Sequence, residues 1–290
     1  MKILVFGGGG MLGHKLVQKL QVDFDVWTSF RDSYKKYENL KFFNPEKIVN
    51  RVNVLDFESI QKTIREVNPE ILINAVGIIK QLPSSKDVIK TLLTNSIFPH
   101  QLAEICAEEN RYLINISTDC VFDGAKGNYK EEDISNASDL YGRSKSLGEV
   151  NNQRCLTIRT SIIGRELFTK NSLVEWFLSN EEVRIKGFVN AIYSGFPTII
   201  LAEIISELLR HQDFLEGLYH VSSEPINKYE LLKLLKKAFQ IKVEIEPFEE
   251  FKIDRSLNSD KFRKQTNFAP LSWEEMITIM ANDKFPYQNK

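Results

Sequence analysis

The chain is short of the residues that build metal centres and disulfide frameworks. It has three cysteines and four histidines in 290 residues. Cys106, Cys120 and Cys155 are odd in number, scattered and without ligand spacing, which excludes a disulfide scaffold and points to reduced thiols. The histidines are equally dispersed, so no metal site is expected. Net charge is also missing: at −1 there is no basic field to attract nucleic acid. The longest apolar stretch, ILINAVGII, is too short to span a bilayer. The opening residues MKILVFGG lack the cationic start, long apolar core and cleavage site of a signal peptide. The expectation is a cytoplasmic protein with neither a membrane nor a nucleic-acid partner.

What is present is an ordinary globular composition, 42% apolar and 27% charged, arranged in alternating patterns. KILVFG (2–7) reads as a strand and is followed by glycines, then by Leu12, Leu16 and Leu20 at helical spacing. FDVWTSF (24–30) reads as a second strand, and KIVNRVNVL (47–55) contains a third. Asp56 caps a helix whose apolar face is Phe57, Ile60, Ile64 and Val67. EILINAVG (70–77) is apolar without alternation, as in a strand covered on both faces. A long helical stretch over 86–109 is expected to bend or restart at Pro99. YLINIST (112–118), a helix carrying Tyr141, and CLTIRTSI (155–162) complete the series.

This βαβ order predicts an α/β fold, a parallel, doubly wound sheet over residues 1–160, with ligands beyond the carboxyl ends of its strands. Residues 161–290 read as a smaller C-terminal α/β lobe for substrate. A segment near 190–222, beginning with NAIYSGFPT (190–198), is a candidate to rejoin the first domain.

GGGGMLG follows the first strand and opens the first helix. Gly7, Gly10 and Gly13 have the spacing of a dinucleotide turn, where a side chain would hold a pyrophosphate away from the helix N-terminus. At the end of the second strand, Phe30 stands where an NAD-type site places an acid, and Arg31 follows. An arginine pairs with a 2′-phosphate, which favours NADP(H) over NAD(H). The competing reading leaves Arg31 in solvent and gives the acidic role to Asp32.

A tyrosine four residues before a lysine occurs three times, at Tyr37–Lys41, Tyr141–Lys145 and Tyr229–Lys233. Four residues is about one helical turn, so the members of such a pair share a face. An ammonium beside a phenol favours phenolate and makes tyrosine a usable acid near neutrality. Only Tyr141 follows a strand ending in hydroxyl residues, NISTDCVFDG (115–124). Tyr37 lies in a polar segment, and Tyr229 starts an amphipathic helix with a solvated Lys233.

Taken together, GGGGMLG, ILINAVG, LLTNSIFP, INISTDCVFDG, YGRSKSLGE, LTIRTSIIG and GLYHVSS resemble an extended short-chain dehydrogenase/reductase, and within it the dTDP-4-dehydrorhamnose reductase group. The resemblance implies a Rossmann-type cofactor domain and a triad of Thr118, Tyr141 and Lys145. Thr118 would hydrogen-bond the substrate carbonyl, Tyr141 would deliver the proton, and Lys145 would assist the phenol and hold the nicotinamide ribose. The expected cofactor contacts are Gly7, Gly10, Met11, Leu12, Arg31, Asn53, Val54, Asn74, Ala75, Val76, Tyr141 and Lys145. For substrate the set is Lys80, Asn95, Thr118, Asp119, Asn190, Arg255 and Asn258. Asn95 could instead be a polar contact inside its helix, Lys80 a solvated cation, and the 254–264 loop a helix cap.

The chain departs from its resemblance in two places, at Cys120 and in the loop after ILINAVG, which continues IIKQLP, unlike the usual reductase sequence. Cys120 stands where related reductases carry tyrosine. Asp119 is not followed by the glutamate that 4,6-dehydratases use, which argues for reduction over dehydration. The implied activity is NADPH-dependent reduction of a 4-keto-6-deoxy nucleotide sugar, dTDP-linked or a UDP-linked 2-acetamido sugar, for a surface polysaccharide. A nucleotide-sugar epimerase and a non-catalytic NADP-binding regulatory subunit are the alternatives, the latter because a relative of the family partners an S-adenosylmethionine-forming enzyme. A homodimer is left open.

Overall fold

The computed structural model describes residues 1–180, 183–212, 214–283 and 287. In chain order its elements are β1 (Lys2–Phe6), α1 (Gly13–Leu20), β2 (Asp25–Ser29), β3 (Ile48–Val49), α2 (Phe57–Val67), β4 (Ile71–Asn74), α3 (Val88–Leu92), α4 (Phe98–Glu108), β5 (Tyr112–Thr118), α5 (Leu140–Leu147) and β6 (Cys155–Thr160). There follow β7 (Ile162–Ile163), α6 (Leu173–Leu178), β8 (Arg184–Tyr193), β9 (Phe196–Pro197), α7 (Thr198–Arg210), β10 (Gly217–His220), β11 (Ile226–Asn227), α8 (Lys228–Phe239), β12 (Glu244–Asp254), α9 (Asp260–Thr266) and α10 (Trp273–Ala281).

The chain forms two compact units. The first comprises residues 1–117, 139–158 and 202–218. Its framework is a seven-stranded sheet of order β10-β6-β5-β4-β1-β2-β3, in which the pairs from β5 through β3 are parallel. This is the doubly wound α/β sheet that the alternating pattern predicts. Its core joins Leu4, Phe6 and Leu72 of the strands to Ile60, Ile64 and Val67 of α2 and Phe98, Leu102 and Cys106 of α4. The apolar face read for α2 is therefore the buried one, save for Phe57, which stays exposed. Asp56 accepts from Glu58 N, capping α2 as expected.

Two expectations shift. The third strand is only two residues long, because Arg51 adopts a left-handed backbone (φ 58) that breaks the extended run. The helical stretch expected over 86–109 runs unbroken from 88 to 108, but not as one regular α-helix. A π-helical turn over Leu93–Ile97 lies between α3 and α4, directly ahead of Pro99 in the first turn of α4.

The second unit comprises residues 118–138, 159–201 and 219–290. It contains a three-stranded sheet of order β11-β8-β12 and the short β7–β9 pair. β8 runs parallel to β12, with a register shift between Phe248 and Lys252, and antiparallel to β11. Residues 190–198 fall in this unit, since β8 and β9 pair there. The return to the first unit is 202–218, within α7 and the segment after it. A small core of Val121, Phe122, Tyr129 and Leu257 fixes the loop after β5, with the Phe122 and Tyr129 rings stacked at 4.0 Å.

Candidate active site

In the first unit, β1 ends in a turn that only glycine permits. Gly7 has φ +88, a conformation L side chains rarely adopt, and a Cβ there would press on Val76 and the Ala75 carbonyl. The end of β4 is thus held against the turn, bringing Gly7, Ala75 and Val76 together. Asn74 sets that approach: its Oδ1 accepts from Val76 N at 3.1 Å and its Nδ2 donates to Asn115 Oδ1 at 2.9 Å. Gly10 N donates to Gly7 O at 2.9 Å and His14 N to Gly10 O at 3.1 Å, closing the turn into α1. Leu12 is buried at the N-cap of α1, Met11 is half-buried, and Gly10 remains exposed. An exposed glycine turn at a helix N-terminus fits a dinucleotide pyrophosphate.

At the end of β2, Phe30 is buried and stacks on Tyr37 at 4.1 Å, with Phe43 edge-on to both rings. Tyr37 is buried as well, contrary to its reading as part of a polar segment. Its hydroxyl lies over Gly9, where a Cβ would collide with it. Three aromatics at irregular spacing gave no periodic signal. The Arg31 side chain is 84% exposed, with its Nε 3.9 Å from Asp32 Oδ1. Lys36 Nζ meets the other carboxylate oxygen at 3.0 Å. Asp32 is thus bracketed by two cations. Asn53 is exposed and caps its own turn, accepting from Leu55 N at 3.1 Å. Val54 packs against the core of the unit.

The third group lies on α5. Asp139 is its N-cap, accepting from Gly142 N at 3.0 Å with one oxygen and from Lys80 Nζ at 2.8 Å with the other. The Lys80 ammonium stands 5.7 Å from the centroid of the Tyr141 ring. Lys80 is exposed yet paired: Asp139 ties its ammonium beside the Tyr141 ring. Tyr141 and Lys145 lie in α5 one turn apart. Lys145 is buried, and its Nζ donates to Ile116 O near the end of β5 at 2.7 Å. Burial pushes its pKa down to about 8, with Glu149 acting in the opposite direction.

Asn95 departs from its expected substrate role. It is fully buried within the π-turn. Its Oδ1 accepts from Ile78 N at 2.8 Å, and its Nδ2 donates to Ile78 O at 3.0 Å and to Ser144 Oγ at 3.1 Å. Both amide atoms are engaged in fastening α5 and the loop after β4, the polar-contact alternative for this residue. Ser96 Oγ adds a bond to Ser144 O at 2.8 Å.

The second unit gathers a different set. Thr118, the last residue of β5, donates from Oγ1 to Asp119 Oδ1 at 3.1 Å and accepts from Cys120 N at 3.2 Å. Asp119 is buried, which raises its pKa, while the Arg255 charge and bonds from Cys120, Thr118 and Ser161 pull the other way. Arg255 is fixed by donating from Nε to Phe122 O at 2.8 Å, with Nη1 3.8 Å from Cys120 Sγ. Thr118, Asp119 and Arg255 thus form one cluster. Tyr193 joins it unannounced by any motif: burial and the Asp119 charge hold its phenol well above the ordinary range. Asn190 and Asn258 serve the backbone. Asn190 Nδ2 donates to Glu249 O at 2.9 Å beside the register shift, and Asn258 Oδ1 accepts from Asp260 N at 2.9 Å, whereas Ser259, at the N-cap of α9, makes no side-chain capping bond.

Among the described residues, no group of three or more His, Cys, Asp and Glu could hold a metal ion, and no helix is long and apolar enough to cross a membrane.

The model of the RmlD substrate binding domain matches residues 1–284. The dTDP-4-dehydrorhamnose reductase of Aggregatibacter actinomycetemcomitans is 31% identical over 237 residues, covering 77% of this chain and 74% of that protein. Methionine adenosyltransferase 2 subunit beta of Mus musculus is 24% identical over 259 residues, covering 83% and 72%. The crystal structure of dTDP-4-dehydrorhamnose reductase from Bacillus anthracis str. Ames in complex with NADP has a TM-score of 0.79 at 22% identity, covering 96% of this chain and 98% of that one, and shares its fold. With a family match over nearly its whole length and a 31% identical relative, the chain belongs to the RmlD substrate binding domain family.

Proposed function

We propose that the chain is an NADPH-dependent reductase of a 4-keto-6-deoxy nucleotide sugar, dTDP-4-dehydrorhamnose-like or a UDP-linked 2-acetamido-4-keto sugar, acting in deoxysugar and surface-polysaccharide synthesis. The observation that carries this reading is the buried Lys145 ammonium, anchored to Ile116 O one turn from Tyr141, in the unit that also holds the glycine turn. The names of the reductase relative and of the NADP complex support the substrate class and the cofactor.

The turn from Gly7 to Leu12, exposed at Gly10, would hold the pyrophosphate, Arg31 the 2′-phosphate, and Lys145 the nicotinamide ribose. NADPH, when bound, supplies the hydride for C4 of the sugar. Tyr141 donates its phenolic proton to the C4 oxygen, turning ketone into alcohol, and is recharged from solvent. The Lys145 cation stabilises the phenolate left behind. Thr118, two residues beyond Ile116, hydrogen-bonds the carbonyl oxygen and orients it. The chain lacks a glutamate after Asp119, so the acid–base set for removing water is incomplete, which favours reduction.

The match to an adenosyltransferase subunit gives a second reading, a non-catalytic partner of another enzyme. A panel of 4-keto nucleotide sugars incubated with NADPH, followed at the nicotinamide absorbance band, separates the readings. Stoichiometric NADPH oxidation with one sugar supports the reductase. Sugar isomerisation without net oxidation indicates an epimerase, and no turnover with any sugar favours the subunit. In the reductase, Tyr141→Phe removes turnover by about a hundredfold or more while NADPH affinity is retained.

A further inference from the structure

Two consecutive residues of β5 are gripped by α5 and the residues after it. Ile116 O accepts from Lys145 Nζ at 2.7 Å, and the next side chain, Ser117 Oγ, donates to Glu149 Oε1 at 2.6 Å. Ser117 is buried, and Glu149 follows Lys145 by four residues. The link between them is immobilised. Gly148 closes α5 with its N–H on Ser144 O and Lys145 O, and its own carbonyl accepts from Asn115 Nδ2 at 3.0 Å. A side chain at Gly148 would collide with the Asn95 carbonyl. The carboxylate is therefore delivered to one place, beside the strand residue that also receives the Lys145 ammonium.

We propose that Glu149, locked by Ser117, is a positioning residue that keeps Lys145 a cation, and so sets the alkaline limit of the site. This rests on the reductase reading for its catalytic meaning. Burial works against the ammonium, and Glu149 is the charged group that opposes it. From β5, Lys145 meets a carbonyl and Ser117 is a hydroxyl, both neutral. On α5 the other titratable groups are Tyr141 and the exposed Arg143. Lys80 and Asp139 pair with each other beside that ring. No other described charge is set to take over the role of Glu149.

The test is the Lys145 pKa in the folded full chain, read by NMR of 13Cε-labelled lysine, with Lys145→Met identifying the resonance. Glu149→Gln is expected to lower it by about one unit, while Glu149→Asp stays near wild type. Ser117→Ala, which keeps the charge but releases it, gives a smaller shift in the same direction. In kinetics the alkaline limb of kcat moves down by the same amount and the KM for NADPH changes by less than about twofold. A Lys145 pKa unmoved in Glu149→Gln overturns the proposal, and should that variant fail to fold, an unmoved pKa in Ser117→Ala does so. A shifted pKa in a chain that reduces no nucleotide sugar upholds the Glu149–Lys145 relation and overturns the reductase reading instead.

Discussion

Asn95 and Ser144 meet at 3.1 Å across 49 residues of chain, and the same Asn95 amide takes both backbone groups of Ile78. One side chain thereby fastens α5 to the loop after β4. Asn95→Ala leaves the buried N–H and C=O of Ile78 without partners, so it should destabilise the fold by about 3 kcal/mol in urea unfolding. A raised substrate KM with unchanged stability would instead restore Asn95 to the substrate.

Lys145 gives opposite pH trends for activity and stability. Its folded pKa of about 8 lies below the ordinary lysine value of 10.5, so between these values the unfolded chain binds more protons. Its contribution to stability therefore rises with pH across that window, as the cost of burying a charge is relieved. Turnover falls over the same window, because the cation that supports Tyr141 is lost. The difference in unfolding free energy between wild type and Lys145→Met, measured at intervals from pH 7 to about 11, should show the rise. A flat difference would mean that Lys145 is not held in a depressed state.

Arg31 is exposed and shares Asp32 with Lys36. Arg31→Ala should weaken NADPH binding by about tenfold and NADH binding little, since a bidentate charge-assisted contact to a 2′-phosphate is lost only with the former. Isothermal titration with both dinucleotides checks this. Equal losses for the two would assign Arg31 to the surface and the ribose to Asp32.

Gly9 has no room for a methyl group because the Tyr37 hydroxyl covers it, and Tyr37 is pinned between Phe30 and Phe43. Gly9→Ala should cost about 1–3 kcal/mol by overpacking. Combining it with Tyr37→Leu should recover part of that loss, the non-additivity expected of residues in contact. Thermal unfolding of the two single variants and the double variant is the measurement.

Much of this was legible in the residues. The short-chain reductase resemblance carried by GGGGMLG, INISTDCVFDG and YGRSKSLGE agrees with the family match, and the parallel sheet follows from the alternating pattern. Lys233 is the surface cation its amphipathic helix implied, paired with Glu230 at 3.0 Å, while Tyr229 is half-buried against Gly187. Less legible was the division of the chain, which leaves the first unit at Thr118 and returns at Asp139. No composition shift marks either point.

The sequence alone determined the element types, the glycine turn and the turn-spaced Tyr141 and Lys145, because each is a local property: an apolar period, a backbone that tolerates positive φ, four residues to a turn. Only the tertiary structure decided that Asn95 is a clamp, that Lys80 belongs to Asp139, that Tyr37 is buried over Gly9 and that Glu149 answers to Ser117. These pairings join residues 17 to 59 apart and, the exposed Lys80–Asp139 pair aside, they depend on which side chains a closed, dry interior brings within hydrogen-bonding distance. Spacing along a chain fixes neighbours one turn away, whereas burial selects partners wherever an unpaired polar group would be too costly to leave.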